Sequence, residues 1–259
     1  MADDSRIDVL DGRFKRGQLA GLEQQMVMDV FSKHVSSVEG VVNDGKEATV
    51  YLCRGRPESG IADAHVAAKV YRSRRFRAFR NNSDYANPQE VRDRRLAKAI
   101  RQRSRTGQRA AQHRWVGREW EVLSMLHEAG ASVPEPYDHA PDAVLMELVG
   151  TGGVPAPALA QVRLEPADAQ RVFAAVLQDV EILLDCGLVH GDLSAYNILY
   201  HDGRPRMIDL PQAVDVDGPA DAWSLFHRDI DNVCGYFRRQ GVSTDPLGLA
   251  MKLWARYAT

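Results

Sequence analysis

The sequence has few cysteines and no long apolar run. Its three cysteines, Cys53, Cys186 and Cys234, are far apart, and no pair has the spacing of a zinc site or a redox motif. No stretch approaches the ~20 apolar residues that a membrane-spanning helix requires. The N-terminal residues, MADDSRIDVLDGRF, lack the basic start and apolar middle of a secretory signal. These absences predict a cytoplasmic protein with reduced thiols and no membrane partner.

The order of predicted elements favours two lobes that share a cleft. The chain has 259 residues, of which 44% are apolar, enough for a substantial core. Residues 1–37 are predicted to form a helical extension, residues 38–149 a β-rich N-lobe and residues 150–259 a C-lobe with the catalytic loop and a metal-binding Asp. Strands are predicted at 35–42, 48–53, 65–72, 143–149, 196–200 and 205–210, and helices at 18–34, 113–129, 166–186, 221–240 and 246–257. The apolar positions of the first three helices are Leu19, Leu22, Met26 and Val30; Trp115, Trp120, Leu123 and Leu126; and Val172, Val176, Val180 and Leu183 or Leu184. The Gly- and Pro-rich residues 150–157 are predicted to be a flexible connector.

Charge is distributed unevenly along the chain. The formal net charge is −2, yet residues 72–118 contain fourteen Arg and one Lys against three acidic residues. A basic block of this kind can bind phosphate-rich surfaces such as RNA, or it can be a solvated insertion. Its part at about 80–112 is predicted to be a flexible insertion in the N-lobe.

The strongest chemical signal lies in residues 188–199, LVHGDLSAYNIL. They contain the pattern H-x-D-x-x-x-x-N, and an Ile-Asp pair follows at 208–209. Phosphoryl transfer needs a group that orients the acceptor hydroxyl and hard oxygen ligands for Mg²⁺ beside the polyphosphate. Asp192 suits the first role, and Asn197 and Asp209 suit the second. These three residues are therefore predicted to be catalytic, with Asn197 and Asp209 binding the metal.

A glycine turn precedes this motif in the sequence. Residues 40–51 read GVVNDGKEATVY, and the turn at 43–45 is predicted to join two strands. Glycine lets backbone N–H groups approach phosphates closely. Because the turn lies between strands and not before a helix, it does not fit a P-loop NTPase. Residues Gly45, Lys46, Glu47 and Ala48 are predicted to contact a nucleotide.

A lysine occurs within the next apolar strand. Lys69, in the stretch AAKVY at 67–71, needs an anionic partner in such surroundings. It is predicted to act in catalysis by contacting the α- and β-phosphates of ATP. Its predicted protein partner is Glu119, on the helix predicted at 113–129.

These features follow one another in the order of the protein-kinase signature set: glycine turn, strand lysine, helix glutamate, linker, catalytic loop and metal aspartate. In that arrangement Met146 lies at the back of the nucleotide pocket, and the backbone of Glu147 and Val149 binds the adenine edge. The base would be sandwiched by Val42, Val50, Ala67 and Leu199.

Several of these motifs resemble the RIO family of atypical serine protein kinases. They are GKEATVY at 45–51, AAKVY at 67–71, LVHGDLSAYNIL at 188–199 and IDLPQAV at 208–214. Only fifty residues follow Asp209, too few for the helical lobe of an ordinary protein kinase. The segment at 80–108 is similar to what bacterial members carry there. The resemblance is thus to a bacterial-type member without a winged helix.

The resemblance implies an α+β, two-lobed protein-kinase-like fold with a β-rich N-lobe and a reduced helical C-lobe. It also implies ATP and Mg²⁺ as cofactors, with Mn²⁺ as an alternative, and serine phosphorylation that includes autophosphorylation. Some members act as ATPases through a phospho-aspartate, which here would be Asp209. Family members usually have Ser-Thr where this chain has Asn43-Asp44. Because an acidic side chain beside phosphates is unfavourable, Asp44 must point away, or the affinity for nucleotide is reduced.

Two other functions remain compatible with the residues. One is a small-molecule kinase of the aminoglycoside-phosphotransferase type, which uses the same catalytic pattern but builds its acceptor pocket from a long helical C-terminal region. The other is a nucleotide-dependent module that binds RNA or the ribosome through the basic segment at 72–118. Phosphate contacts of that kind predict binding that weakens steeply with salt.

Overall fold

The computed structural model describes residues 16–61, 64–71, 105–218 and 221–257. The helices are α1 (Arg16–Val30), α2 (Arg105–Glu128), α3 (Pro166–Asp185), α4 (Ala222–Arg239) and α5 (Pro246–Trp254). The strands are β1 (Val35–Asp44), β2 (Ala48–Gly55), β3 (His65–Tyr71), β4 (Pro136–Ala140), β5 (Ala143–Glu147), β6 (Gly150–Thr151), β7 (Val154–Pro155), β8 (Leu188–Val189), β9 (Ile198–His201), β10 (Arg204–Met207) and β11 (Val214–Asp215). In the described part of the chain no helix is long and apolar enough to cross a membrane.

The chain divides into two compact units. The first comprises Met1–Gly117 and Tyr137–Leu148, and the second comprises Arg118–Pro136 and Val149–Thr259. Helix α2 therefore contributes to both units, with the division after Gly117. The first unit is built around a β-sheet, whereas the second contains most of the helices. The domain boundaries that the sequence predicts, at 37/38 and 149/150, stay a prediction.

A five-stranded sheet with the strand order β1-β2-β3-β5-β4 forms the first unit, and α1 covers one of its faces. Val27 and Phe31 are fully buried against Val66 and Ala68 of the central strand. The apolar spacing that predicts α1 runs through Leu22 and Val30, but these side chains are 38% and 42% exposed. Met26 of the same spacing packs against the core, so the periodicity locates the helix, but the fully buried positions are the neighbouring Val27 and Phe31.

The second unit packs its helices through apolar and aromatic side chains. Helix α3 buries Val172, Val176 and Val180, as the sequence predicts, and it buries both Leu183 and Leu184, which the sequence offered as alternatives. Phe173 of α3 meets Phe237 of α4 with ring centroids 4.9 Å apart. Trp223 of α4 meets Trp254 of α5 edge-on at 5.4 Å. Such aromatic pairs add to the stability gained from the buried area alone, and here they join α4 to α3 and to α5.

Helix α2 begins eight residues earlier than the sequence predicts, at Arg105 and not at residue 113. The stretch 105–112, RTGQRAAQ, contains Arg, Gln and Ala, which are good helix formers. These eight residues fall within the predicted insertion at 80–112, and the rest of it lies outside the described residues. Of the predicted apolar positions, Trp115, Leu123 and Leu126 are buried, whereas Trp120 is half-buried.

The segment at 150–157, predicted to be a flexible connector, forms a short hairpin. Gly150 pairs with Pro155, and Thr151 pairs with Val154. Ala156 donates its backbone N–H to the carbonyl oxygen of Val149 at 2.8 Å. Gly152 and Gly153, with φ of 60° and 82°, form the tight turn of this hairpin, and Pro155 lies in its second strand.

The Gly150→Ala variant tests this hairpin. A Cβ at position 150 would lie 2.1 Å from the carbonyl oxygen of Val154, so the two strands must separate. We expect a loss of about 1–3 kcal/mol in the free energy of unfolding, measured by urea denaturation. Gly117→Ala is the control, because a Cβ there meets nothing within 4 Å and α2 should gain about 0.5–1 kcal/mol. Equal effects of the two variants would contradict the close approach at Gly150.

Candidate active site

The predicted catalytic motif forms a loop between two short strands of the second unit. Strand β8 leads into it, and β9 follows it. Asn197 donates its backbone N–H to the carbonyl oxygen of Ser194 at 2.9 Å. Ala160 donates its backbone N–H to the carbonyl oxygen of Ala195 at 2.8 Å. Ile208 donates to the carbonyl oxygen of Asn197 at 2.9 Å. The loop is therefore held by its own backbone and by two neighbouring segments.

Three polar residues of α4 form hydrogen bonds with the backbone of the loop. Asp229 accepts the backbone N–H of Gly191 at 2.7 Å and that of Leu193 at 2.9 Å. Arg228 donates to the carbonyl oxygen of Gly191, and Asn232 donates to that of Leu193 at 3.2 Å. The backbone on both sides of Asp192 is thus fixed by side chains of one helix.

The sequence analysis missed these supporting residues of α4. Asp229 is only 2% exposed, and burial raises its pKa to about 7 against the lowering effect of the two N–H groups and Arg228. A carboxylate buried so deeply needs hydrogen-bond donors. The available signal was Asp229 itself, an acidic residue adjacent to Ile230 on the apolar face of a predicted amphipathic helix.

His190 forms a second internal support of the loop. It is 2% exposed, and its Nε2 lies 3.1 Å from the carbonyl oxygen of Ile208. Its Nδ1 accepts the backbone N–H of Asp192 at 3.3 Å. Burial lowers the pKa of His190, so the ring is neutral and donates through Nε2. It therefore links the start of the loop to the residue that precedes Asp209.

Asp192 and Asn197 are in contact within the loop. The Asn197 amide nitrogen Nδ2 donates to the backbone oxygen of Asp192 at 2.8 Å and to its carboxylate Oδ2 at 3.2 Å. Burial raises the pKa of Asp192, and the negative charge of Asp209 raises it further, while Arg228 and the hydrogen bond from Asn197 lower it. Burial thus makes this carboxylate a better proton acceptor than an exposed Asp.

Asp209 follows a tight hairpin and has an unusual backbone conformation. Strands β9 and β10 are joined by Asp202-Gly203, with φ of 49° and 76°, the pattern of a type I′ turn. Asp209 has φ of 66°, in the left-handed region that Asp tolerates better than most residues. Non-glycine residues in this region often occur where function requires a particular side-chain direction.

The chemistry of these residues fits a magnesium ion bound with a nucleotide. The charges of Asp192 and Asp209 are close enough for each to oppose ionisation of the other, and a divalent cation would relieve that repulsion. Since Nδ2 of Asn197 donates to Asp192, its Oδ1 is the atom suited to a metal. Mg²⁺ usually takes one or two protein carboxylates and completes its shell with phosphates and water. Accordingly, the described residues contain no cluster of three or more His, Cys, Asp or Glu that would form a self-sufficient metal site.

In the first unit, five of the predicted nucleotide residues lie on one sheet face. Val50 pairs with Lys69, and Ala67 pairs with Met146. Directly paired residues point to the same side of a sheet. The face opposite α1 therefore presents Ala48, Val50, Ala67, Lys69 and Met146. Lys69 also lies over the ring of Tyr71, 5.1 Å from its centroid.

The turn between β1 and β2 shows where Asp44 points. Asp44 pairs with Thr49, whose hydroxyl donates to its carboxylate at 3.4 Å. Thr49 is 2% exposed and pairs on its other side with Val70, which belongs to the core beneath α1. Asp44 therefore lies on the side of the sheet opposite Lys69, and its effect on the affinity for nucleotide stays a prediction. The turn itself comprises Gly45, Lys46 and Glu47, and Gly45 donates its N–H to Ala48 at 3.0 Å.

The remaining predicted nucleotide residues occupy several elements. Val42 lies at a register shift between Val41 and Asn43 of β1. Glu147 ends β5, and Leu199 lies in the middle of β9. Val149 is 4% exposed, and its carbonyl oxygen accepts from Ala156, so an adenine contact there would use its N–H. Glu119 lies in α2 and is 3% exposed. Its pairing with Lys69 stays a prediction.

Three buried groups make the stability of the second unit depend on pH. Burial raises the pKa of Asp179 to about 6 and that of Asp229 to about 7, and it lowers the pKa of His190. A carboxyl group with a raised pKa stabilises the fold fully below its unfolded value of about 4 and loses that contribution as pH rises to the folded value. His190 acts in the opposite sense, because keeping it neutral becomes costly below about pH 6.5.

The Asp179→Asn variant isolates one of these groups. Asn retains an oxygen for the Ser132 backbone N–H, which Asp179 accepts at 2.8 Å, but it does not titrate. We expect the stability of the wild type relative to the variant to fall by roughly 2–3 kcal/mol from pH ~4 to ~6 and to stay level above. Urea unfolding followed by tryptophan fluorescence across this range measures the difference. A difference that does not change with pH would rule out the titration of Asp179.

Comparison with known proteins identifies the family of this chain. A model of the RIO domain family matches residues 49–247. The chain belongs to the RIO domain family. The Haloferax volcanii RIO-type serine/threonine-protein kinase Rio1 is 35% identical over 212 residues, covering 82% of this chain and 67% of that relative. Rio1 of Methanocaldococcus jannaschii is 33% identical and covers 85% and 71%, respectively.

Solved structures also support the kinase-like fold expected of a RIO domain. The Rio2 kinase of Chaetomium thermophilum, in complex with ADP, Mg²⁺ and phosphoaspartate, aligns with a TM-score of 0.64 at 25% identity. The alignment covers 93% of this chain and 67% of that structure. The predicted α+β protein-kinase-like fold is thereby confirmed.

The chain spans only 38% of the Caenorhabditis elegans serine/threonine-protein kinase RIO1, to which it is 31% identical.

Proposed function

We propose that this chain is an ATP- and Mg²⁺-dependent phosphotransferase that transfers the γ-phosphoryl group of ATP to serine, in itself or in another protein. The observation that carries the proposal is the contact between Asp192 and Asn197 in a rigid loop, with the charge of Asp209 acting on the same carboxylate. Membership of the RIO domain family, whose curated relatives are serine/threonine-protein kinases, supports the same reaction.

In the proposed reaction the acceptor hydroxyl oxygen attacks the γ-phosphorus of ATP. A bond forms between these two atoms, and the bond from the γ-phosphorus to the β,γ-bridging oxygen breaks, so that ADP leaves. Asp192 orients the hydroxyl and accepts its proton, for which its raised pKa suits it. Asn197 holds Asp192 in place through Nδ2 and offers Oδ1 to the metal.

The metal and nucleotide ligands follow from the same proposal. Asn197 and Asp209 would hold Mg²⁺, which neutralises the charge of the phosphates when bound. Mn²⁺ prefers the same oxygen ligands and is proposed to replace Mg²⁺. Lys69 would contact the α- and β-phosphates, with Glu119 as its partner. The apolar side chains on the sheet face of Lys69 would pack against the adenine.

Phosphoryl transfer by the purified full chain tests this function. We expect the protein incubated with γ-labelled ATP to release ADP and to become labelled on serine, as identified by mass spectrometry. Removal of divalent cations by EDTA should abolish both signals, and either Mg²⁺ or Mn²⁺ should restore them. Host lysate added to a parallel reaction distinguishes protein acceptors from small molecules. Absence of metal-dependent ATP turnover would reject the proposal.

Binding of RNA or the ribosome remains a separate prediction. It depends on the basic segment at 72–118, most of which lies outside the described residues. No contact in the described residues favours it over phosphoryl transfer, and its steep salt dependence would distinguish it. The cytoplasmic location proposed for the chain is consistent with either activity.

A further inference from the structure

Helix α2 carries Glu119, and the loop that follows the helix is anchored firmly in the second unit. Ser132 donates its backbone N–H to Asp179 of α3 at 2.8 Å, and its carbonyl oxygen accepts from Met207 of β10 at 2.7 Å. Arg206, also in β10, donates to the carbonyl oxygen of Val133 at 3.0 Å. Asp179 is only 5% exposed. The C-terminal end of α2 is therefore fixed to the strand that leads directly to Asp209.

A second contact holds α2 next to Glu119 itself. Arg118 and Asp215 form an ion pair in which Nη2 lies 2.6 Å from Oδ1. The two residues are 97 positions apart in the sequence, so the pair joins separate elements. The Arg118 side chain is 32% exposed and that of Asp215 is 65% exposed. An exposed pair of this kind contributes little to global stability. Its importance here comes from its location, directly beside Glu119.

Asp215 belongs to the short sheet that supports the catalytic loop. Val214 pairs with Val189, and Asp215 pairs with Leu188. Val216 donates its N–H to the carbonyl oxygen of Gly187 at 2.8 Å, which fixes the backbone immediately after Asp215. The partner strand β8 runs straight into His190 and the catalytic loop. Asp215 also follows Asp209 by six positions in the sequence.

We propose that Arg118 and Asp215 are positioning residues whose ion pair holds the part of α2 that carries Glu119 in register with the catalytic loop and with Asp209. The anchor at Ser132 fixes the end of the helix, about three turns beyond Glu119. The ion pair restrains the rotation and the sliding that a single distant anchor still permits. Both charges are supplied by the chain itself, so the restraint needs no modification of the protein. This inference rests on the proposed phosphoryl transfer, since Glu119 acts there through Lys69.

A charge exchange in the full chain tests the proposal. Arg118→Glu and Asp215→Arg, each alone, place like charges opposite each other, and the double variant restores an ion pair of reversed polarity. We expect kcat/KM for ATP to fall about five-fold in each single variant and to return within about two-fold of wild type in the double variant. The defect of the single variants should shrink at high salt, because exposed charges are screened.

The exchange of Arg256 and Glu181 is the matched control. These residues form another ion pair between distant parts of the second unit, at 3.2 Å and with comparable exposure, but neither adjoins a candidate site residue. Arg256→Glu and Glu181→Arg should leave kcat/KM unchanged. Thermal unfolding should shift equally little in both sets of variants, which separates positioning from a general effect on stability.

The outcomes separate the two proposals. If the wild type turns over ATP but the Arg118 and Asp215 variants match the Arg256 and Glu181 controls, the positioning role is wrong and the proposed function stands. If the loss of kcat/KM in the double variant equals the product of the losses in the two single variants, the two residues act independently and the ion pair is not the restraint. A wild type that neither binds nor turns over ATP would overturn both proposals.

Discussion

Replacing Asp192 by Asn is expected to lower kcat for phosphoryl transfer by about 10²–10⁴-fold while KM for ATP changes little. Asn has the size of Asp and retains an oxygen that can accept from Asn197, so the loop should keep its shape. It cannot accept a proton from the acceptor hydroxyl. The loss should therefore fall on the chemical step, and steady-state kinetics with labelled ATP measure it.

Asp209→Asn should produce a comparable loss with a different signature. This variant removes a negative charge from the proposed metal site, so the concentration of Mg²⁺ needed for half-maximal activity should rise as well. Asn also tolerates the left-handed backbone conformation that Asp209 adopts, with φ of 66°. Folding should therefore be preserved, and a titration with Mg²⁺ separates this variant from Asp192→Asn.

Asp202→Asn is the matched control for both variants. Asp202 also has a positive φ, of 49°, but it lies in the β9–β10 turn with its side chain 83% exposed. The same chemical change there should leave kcat and the Mg²⁺ requirement unaltered. Full activity in both Asp192→Asn and Asp209→Asn would show that these aspartates do not have the roles proposed for them.

The catalytic loop was predictable because its chemistry is local in sequence. Asp192 and Asn197 are five positions apart, and the contact between them follows from one loop with a fixed backbone. The sheet face of Lys69 was also predictable from the sequence, because side chains alternate along β3 and residues two positions apart share a side. Sequence patterns of this kind predict both the elements and the residues that face each other within them.

The support of the loop was not predictable in the same way. Asp229 follows Asp192 by 37 positions, and only the packing of α4 brings its carboxylate to Gly191 and Leu193. The pairing of Arg118 with Asp215 spans 97 positions. In the sequence, the Asp and Arg residues that make these contacts look the same as charged residues that are exposed to solvent. The fully buried positions of α1, Val27 and Phe31, were not predicted for a related reason, since they depend on how the helix packs on the sheet.

Asp229→Ala is expected to have the largest effect on stability. The substitution leaves the backbone N–H groups of Gly191 and Leu193 buried without their acceptor, and Arg228 loses a neighbouring carboxylate. Each unsatisfied group costs about 1–3 kcal/mol, so the free energy of unfolding should fall by roughly 2–5 kcal/mol. Urea denaturation near neutral pH measures this loss.

The same variant should lower kcat by about 10²-fold, even under conditions in which it remains folded. Gly191 and Leu193 flank Asp192, and a displacement of about 1 Å is enough to disturb a reacting geometry to this degree. Asp231→Ala on the same helix is the control, because Asp231 is 57% exposed in a 3.6 Å ion pair and should change stability by less than about 0.5 kcal/mol. If Asp229→Ala retained wild-type kcat while losing stability, the helix would support the fold without positioning Asp192. A parallel loss of both, absent in the control, would mean that the buried carboxylate of Asp229 is required for the rigidity of this loop and for catalysis.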